Sequence, residues 1–264
     1  MVKVLVCMKL VSDPEAPVSS FKVDSEAKRV IAASGSPPVI NPFDENALEA
    51  ALKLKDITDV KITIISMGQN LAKAVLRKTL AVGAEELVLL DDVAFDDLNG
   101  FSTAFVLAAA IIKIGEFDII LCGRQSADTN AGQVGSGIAQ ILKIPCVTVV
   151  RQLKINDGKL TVERVVSEGY EIIEVMTPVL FTVGNESGEL RAATLKAIME
   201  SQKKPIITWK AGDICLDALP QKQVNLIKLV TPPRSQMSCQ IVEGQSPEVA
   251  GVNLANKLKE VKII

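Results

Sequence analysis

The sequence alternates short apolar runs with segments in which apolar residues recur at helical spacing, and this alternation constrains the fold most. A helix between two strands packs on one face of the sheet and returns the chain to the edge where the first strand began, so the two strands run parallel. The pattern therefore predicts an α/β fold, a mainly parallel sheet with helices on both faces. Apolar runs of strand length occupy residues 2–8, 61–67, 86–90, 118–122 and 146–153. The helical spacing lies at residues 41–54, 71–82, 101–114 and 134–142.

Residue types at the ends of these segments predict where the helices begin and end. Asn41-Pro-Phe-Asp44 predicts the first helix start, with Pro42 fixing the backbone and Asp44 as the N-cap. Gly83 is typical of the residue after a helix, and Pro145 stops the helix that precedes it.

Turn signals elsewhere predict β-hairpins and a different C-terminal region. Asp157-Gly158, between the apolar runs 153–155 and 160–166, is typical of a two-residue hairpin turn. Residues 203–233 lack a helical period and predict an extended arm, and Ser246-Pro-Glu248 predicts the start of a terminal helix. Further strands are predicted at residues 21–23, 29–31, 170–176 and 178–183, and the terminal helix at 246–261.

Composition excludes several classes of function. Lysine and arginine total 29 against 31 aspartates and glutamates, so the formal charge is −2, and no nucleic acid or anionic membrane is expected as a partner. No apolar run approaches the roughly 20 residues that span a bilayer. The N-terminus lacks the layout of a signal peptide, so we expect a cytoplasmic protein.

The residue inventory also limits the chemistry. The chain has no histidine, which removes Ser-His and Cys-His nucleophile pairs and argues against a hydrolase. Its five cysteines form no C-x-x-C pair, so neither an iron–sulfur nor a zinc site is expected. We expect no metal ligands and no catalytic residues, and any chemistry has to be carried mostly by a cofactor.

The most informative segment is the small polar loop at residues 123–137, between a predicted strand and a predicted helix. Small residues allow close backbone approach to a ligand, and the following helix N-terminus offers free N–H groups to phosphate oxygens. The segments 7–9 and 66–69 end neighbouring strands and are expected at the same edge. Gly132-Gln-Val-Gly135 stands where a pyrophosphate would lie, although it matches neither a P-loop nor G-x-G-x-x-G. The alternative is a loop that needs small residues only to turn.

Individual residues near this loop each have two interpretations. Arg124 can complement a phosphate or an electron-rich ring, or be a solvated arginine. Asp128 can accept from a ribose hydroxyl, or cap a turn. Cys7 and Met67 can pack on an adenine, or belong to the core. The acidic segment 91–97 would repel phosphate, so it either flanks the site or is simply solvated.

Together, several segments resemble the beta subunits of electron-transferring flavoproteins over nearly the whole chain. They include Val6-Cys-Met-Lys9, Asn41-Pro-Phe-Asp-Glu-Asn-Ala-Leu-Glu-Ala-Ala51, Gly123-Arg-Gln-Ser-Ala-Asp128, Gly132-Gln-Val-Gly135 and Arg191-Ala-Ala-Thr-Leu-Lys196. The resemblance implies a Rossmann-like sheet of the adenine nucleotide alpha hydrolase-like kind, with a β-hairpin extension and a long C-terminal arm. It implies a domain at 1–200 that binds the nucleotide and a partner, and an arm and helix at 201–264 that embrace an alpha subunit.

Such subunits hold AMP in one branch of the family and a second FAD in the other. Asp92-Val-Ala-Phe95 and Gly123-Arg124-Gln125 resemble the second, electron-bifurcating branch. The family's docking loop falls on 189–198, with Leu195 as its apolar tip. Carried over residue by residue, the nucleotide contacts fall on Cys7, Asn41, Pro42, Phe43, Asp44, Met67, Gly123, Arg124, Gln125, Ser126, Ala127, Asp128, Thr129, Asn130, Ala131, Gly132, Gln133 and Val134.

The resemblance therefore implies an electron-bifurcating flavoprotein subunit. Its FAD would accept two electrons from NADH, pass one to ferredoxin, and pass the other through the FAD of the alpha subunit. The final acceptor would be an acyl-CoA dehydrogenase or reductase, for example of the caffeyl-CoA reductase type. One alternative is an AMP-binding beta subunit of a one-electron carrier. Another is a nucleotide-sensing module of the stress-protein type, which leaves the C-terminal arm unexplained.

Overall fold

The computed structural model describes residues 1–32, 37–156, 159–214, 224–231 and 239–264. The helices are α1 (Pro42–Lys55), α2 (Lys73–Val82), α3 (Gly100–Ile114), α4 (Val134–Leu142), α5 (Leu195–Ser201) and α6 (Pro247–Glu260). The strands are β1 (Val2–Met8), β2 (Leu10–Val11), β3 (Phe21–Asp24), β4 (Arg29–Ala32), β5 (Val39–Ile40), β6 (Val60–Gly68), β7 (Glu86–Asp91), β8 (Ile119–Gly123), β9 (Cys146–Asn156), β10 (Lys159–Val166), β11 (Gly169–Val175), β12 (Val179–Val183) and β13 (Ile206–Trp209).

Nine of the described strands form one sheet, in the order β11-β10-β9-β12-β8-β1-β6-β7-β13. From β9 to β13 every neighbouring pair in that order is parallel, while β10 and β11 add an antiparallel extension. The predicted α/β class with a mainly parallel sheet is confirmed. The predicted hairpin joins β9 and β10, with Asn156 opposite Lys159; its turn residues Asp157 and Gly158 lie outside the described residues.

β1 lies in the middle of the sheet, and its side chains alternate between two buried layers. Val4 and Val6 pack on one face with Leu48 of α1. Leu5 and Cys7 pack on the other with residues of α3 and α4. Helices therefore cover both faces, which explains why the central strands are continuous apolar runs rather than alternating ones.

Helix ends follow the predicted residue types except at one point. α2 ends before Gly83, whose φ of +140° favours glycine, and α4 ends at Leu142, ahead of Pro145. α1 begins with Pro42 in its first turn, but Asn41 is its N-cap and Asp44 lies inside the helix. The prediction of Asp44 as the N-cap is wrong, because its carboxylate accepts hydrogen bonds from backbone N–H groups at the ends of two strands and not from its own helix.

The C-terminal region begins as part of the sheet and continues exposed. β13 pairs with β7, and Ile214 is buried beside α3. Beyond the undescribed residues 215–223, the described segment 224–231 is largely exposed, and no residue of α6 is buried against the described chain. None of the helices in the described ranges is long and apolar enough to cross a membrane.

Candidate functional site

A cavity of about 660 Å³ lies at the carboxyl ends of β1, β6, β7 and β8. This edge of an open parallel sheet is where ligands of α/β proteins bind. Most of the predicted cofactor residues line it, whereas Pro42, Phe43, Ala127 and Asn130 do not. The predicted residues on the wall are Cys7, Asn41, Asp44, Met67, Gly123, Arg124, Gln125, Ser126, Asp128, Thr129, Ala131, Gly132, Gln133 and Val134.

The side chain of Asn41 fixes the polar loop 123–137 through hydrogen bonds to its backbone. Its Nδ2 donates to the carbonyl oxygen of Gln125 at 2.9 Å, and its Oδ1 accepts from the N–H of Ala127 at 3.0 Å. The Asn41 side chain is buried, so both of its polar groups are satisfied by this loop backbone. One amide therefore sets the position of the loop, and Ala127 belongs to the site through its backbone without lining the cavity.

Asp44 joins the ends of two strands beneath the cavity. Its carboxylate accepts from the N–H of Lys9, after β1, at 2.8 Å and from the N–H of Gly123, at the end of β8, at 3.0 Å. A Cβ on Gly123 would lie within 2.4 Å of the Asp44 Oδ1, so this close approach requires glycine. Burial raises the pKa of Asp44 to about 7, against the opposing effect of these hydrogen bonds.

Side chains within the loop pair with one another and with Lys9. The Lys9 Nζ lies 2.6 Å from the Asp128 Oδ2, and the Ser126 and Thr129 hydroxyls are 2.9 Å apart. Burial alone would raise the pKa of Asp128, but hydrogen bonds from Lys9 and Ser126 outweigh it and hold that pKa below its usual range. Asp128 is thus an ion-paired part of the cavity wall, and its contact with a ribose hydroxyl stays a prediction.

Arg124 presents a donor that the described residues do not satisfy. Its guanidinium lies over the Phe43 ring, 5.0 Å from the centroid, so Phe43 supports the arginine from outside the cavity. The Arg124 Nε is buried, yet it has no acceptor among the residues that the structure describes. The Asn99 Nδ2 on the cavity wall is also buried and also has no acceptor among the described residues. Buried donors without acceptors are rare in native proteins, and both groups suit a ligand rich in oxygen acceptors.

The N-termini of α3 and α4 meet at this wall. A Cβ on Gly100 would lie 2.9 Å from the Gln133 Oε1, so the first residue of α3 touches the residue before α4. Both helix starts thus border the cavity, and helix N-termini commonly bind phosphate through their first N–H groups. At α3 one of these, the N–H of Ser102, already donates to the Asn99 Oδ1 at 2.8 Å. Gly135 has a packing role, because its Cβ would lie 2.7 Å from the Thr182 Cγ2 on β12.

The far wall was only partly anticipated. Phe95, Asp96 and Asp97 line the cavity, so the acidic segment flanks the site rather than being simply solvated. The sequence interpretation placed Gly68 and Gln69 at this edge but missed the residues 70–72 and 98–100, which also line the cavity. They directly follow β6 and β7 or open α3, so the strand-end rule applied to the neighbouring strands would have identified them.

The cavity floor contains two cysteines. Cys7 and Cys122 are both buried, and the pKa of the Cys122 thiol is raised, first by its hydrogen bond with Cys7 and then by burial. Both also belong to the core, with Met67 packed against the same group of side chains. Cys7 and Met67 therefore serve as core residues and as an apolar floor at once.

The predicted docking residue lies away from the cavity. Leu195 is the first residue of α5, after the N-cap Thr194, whose side chain accepts from the N–H of Ala197 at 3.2 Å. The Leu195 side chain is 75% exposed, and Ile198 and Met199 are exposed beside it. Leu195, Ile198 and Met199 therefore do not pack on the core of the described chain.

An open parallel sheet with a small-residue loop and helix N-termini around one cavity is the arrangement in which α/β proteins bind ligands. A family model described as "Electron transfer flavoprotein domain" matches residues 28–214. The chain therefore belongs to the electron transfer flavoprotein family, as a beta subunit.

Full-length relatives agree with this assignment. The chain is 39% identical to "Caffeyl-CoA reductase-Etf complex subunit CarD" of Acetobacterium woodii, over 99% of this chain and 100% of that protein. It is 37% identical to "Electron transfer flavoprotein subunit beta" of Megasphaera elsdenii, with the same coverage of both chains. It is 34% identical to "Acryloyl-CoA reductase electron transfer subunit gamma" of Anaerotignum propionicum, again over 99% of this chain and 100% of that protein.

Proposed function

We propose that this beta subunit binds FAD and takes part in electron bifurcation from NADH. The observation that carries the proposal is the reach of the cavity, which extends from the loop at 123–135 across the end of β1 to the α3 start and the segment 95–100. A mononucleotide needs one phosphate cradle and one base pocket. A dinucleotide with a ring system uses more of such a wall, including the unsatisfied donors of Arg124 and Asn99.

The residues on this wall suit the parts of such a ligand. The α4 N-terminus and the backbone of Gly132 and Gln133 would hold phosphate oxygens, and Cys7 with Met67 would pack on an apolar ring; all of them line the cavity. Bound FAD would supply the hydride and single-electron chemistry that the side chains of this chain cannot supply. The protein itself would bind and orient the nucleotide, through the backbone positions that Asn41 and Asp44 fix.

The same proposal includes a heterodimer with an alpha subunit, formed by the arm and helix at 201–264. Support comes from apolar side chains that the described chain leaves exposed. On α6 they include Val249, Val252 and Leu254, and in the segment 224–231 they include Leu226 and Ile227. Contiguous exposed apolar residues are typical of protein interfaces.

We further propose that Leu195, with Ile198 and Met199, docks an acyl-CoA dehydrogenase or reductase. The exposure of all three on one short helix supports this. The names of the Acetobacterium and Anaerotignum relatives, each an electron-transfer component of an acyl-CoA reductase, favour that class of partner. We infer a cytoplasmic location, where NADH and ferredoxin would both be available.

The test is an anaerobic assay of the purified heterodimer with NADH, ferredoxin, an acyl-CoA substrate and a purified acyl-CoA reductase. Bifurcation predicts that ferredoxin is reduced only while the acyl-CoA is also reduced, because one electron of each NADH pair goes to ferredoxin and the other goes towards the acyl-CoA. Reduction of the acyl-CoA by NADH without any ferredoxin reduction would contradict bifurcation. A heterodimer whose flavin NADH does not reduce would contradict the proposed electron donor.

A further inference from the structure

The docking helix α5 is too short to be stable by itself. It spans 7 residues, and isolated helices of that length are not populated in water. Its C-terminal end is held by Ser201, which is buried and whose carbonyl oxygen accepts from the Arg77 Nη1 at 3.2 Å. The N-terminal end, where Leu195 is exposed, has to be held by the segment that precedes it.

That preceding segment is bound along one face of α1. The Asn46 Nδ2 donates to the carbonyl oxygen of Gly188 at 2.6 Å, and the Lys53 Nζ donates to that of Ser187 at 2.6 Å. Glu49 and Asp56 provide two more attachments of this segment, because both form ion pairs with Arg191. Asn46, Glu49 and Lys53 lie on α1 and Asp56 is its C-cap. These four positions are spaced by three or four residues, which places them on one side of the helix.

Arg191 is the last of these attachments before α5. Its guanidinium donates to both Glu49 oxygens at 2.8 to 3.2 Å and to both Asp56 oxygens at 2.8 and 3.0 Å. The backbone N–H of Arg191 also donates to Glu49, at 3.1 Å. The Glu49 side chain is only 6% exposed, whereas Asp56 is exposed, so one carboxylate binds the guanidinium from inside and the other from the surface.

We propose that Arg191 is a positioning residue for partner docking: its fork to Glu49 and Asp56 fixes the direction in which α5 presents Leu195. The role rests on the docking function proposed above. A planar guanidinium can bind two carboxylates at once in a fixed geometry, which a lysine ammonium cannot. The same helix α1 holds the nucleotide loop through Asn41, so the cavity and the docking helix share one rigid support.

The test uses the full heterodimer with three variants, Glu49→Gln, Asp56→Asn and Arg191→Lys. The matched control is Glu171→Gln, which breaks an exposed glutamate–arginine pair with Arg164 on the antiparallel extension. Two quantities are measured: hydrogen exchange of the amides in residues 192–201, and the KM and kcat for a purified acyl-CoA dehydrogenase. Nucleotide content is recorded for every variant.

We expect Glu49→Gln and Arg191→Lys to speed exchange in residues 192–201 by about tenfold and to raise the KM for the dehydrogenase by about tenfold. Nucleotide content and kcat stay at the wild-type level, and Glu171→Gln changes none of these. Asp56→Asn gives a smaller change in the same direction, and it serves as the test if the buried Glu49 variant does not fold.

The variants separate this role from the docking function itself. Leu195→Ala with impaired docking, combined with wild-type exchange in the Arg191 and Asp56 variants, overturns the positioning role alone. Wild-type behaviour of Arg191→Lys also overturns it, because a single positive charge would then suffice. Unimpaired docking in Leu195→Ala overturns the docking function, and the positioning role with it.

Discussion

The Asp44 Oδ1 accepts a hydrogen bond from the backbone N–H of Gly123 at 3.0 Å, which ties the first turn of α1 to the end of β8. The other oxygen accepts from the N–H of Lys9, so one carboxylate connects two neighbouring strands beneath the cavity. Because the group is buried, its pKa is raised to about 7, and the stability of the site depends on pH.

The pH dependence has a definite sign. The ordinary pKa of an aspartate is 3.8 and burial raises that of Asp44 to about 7, so the folded state binds more protons between these two pH values. The stabilisation from this group is full below about pH 4 and is lost as pH rises towards 7, by at most about 1.4 kcal/mol per unit. We expect the melting temperature of the wild type to fall, relative to that of Asp44→Asn, between about pH 5 and pH 7.

The control for this comparison is Asp59→Asn, which alters an exposed carboxylate near the N-terminus. It should reproduce the pH profile of the wild type. Parallel profiles of the wild type and Asp44→Asn across the whole range would show that Asp44 is not the titrating group.

Gln133 tests where the phosphates lie. Gln133→Glu places a carboxylate of the same size just before α4, where it would repel a phosphate without straining the backbone. We expect the nucleotide content of the heterodimer to fall severalfold, while the nucleotide-free protein keeps its melting temperature. Gln140→Glu, exposed further along the same helix, is the control and should retain nucleotide. Full nucleotide content in Gln133→Glu would refute a phosphate at this helix start.

Leu195 tests the docking surface. Because the side chain is exposed, Leu195→Ala should leave the melting temperature unchanged. The affinity for an acyl-CoA dehydrogenase should weaken by more than about tenfold, as expected when an apolar anchor worth about 2 kcal/mol is removed. Ile112→Ala on α3, also exposed, is the matched control. Equal affinities of the two variants would remove Leu195 from the interface.

The exposed apolar face of α6 tests the assembly with an alpha subunit. Val252→Glu places a charge on this helix without disturbing a buried side chain, because Val252 is exposed. We expect the variant to express as a folded chain but to co-purify with little alpha subunit, as measured by size-exclusion chromatography with light scattering. Stoichiometric heterodimer at wild-type yield would show that α6 does not contact the alpha subunit there.

The sequence predicted the sheet because its strands are buried on both faces and are therefore apolar along their length. The same rule located the polar loop, since the carboxyl ends of parallel strands meet at one edge. The sequence-based prediction failed for Asp44. A local capping rule cannot include the N–H groups of Lys9 and Gly123, because these become neighbours of Asp44 only when the sheet forms.

Two other features needed the structure for the same reason. The acidic segment 91–97 allowed either a position beside the site or simple solvent exposure, and only the pairing of β7 with β6 places part of it on the cavity wall. The attachment of Arg191 to Glu49 and Asp56 spans well over a hundred residues, and nothing in the local pattern around Arg191 indicates it.

The most direct test of the proposed function is the nucleotide released when the purified heterodimer is denatured. FAD and AMP are separated by chromatography and quantified against the protein concentration. Binding of FAD by both subunits predicts about two FAD per heterodimer and no AMP. About one FAD and one AMP per heterodimer would contradict the proposal and assign the chain to the AMP-binding, one-electron branch of the family.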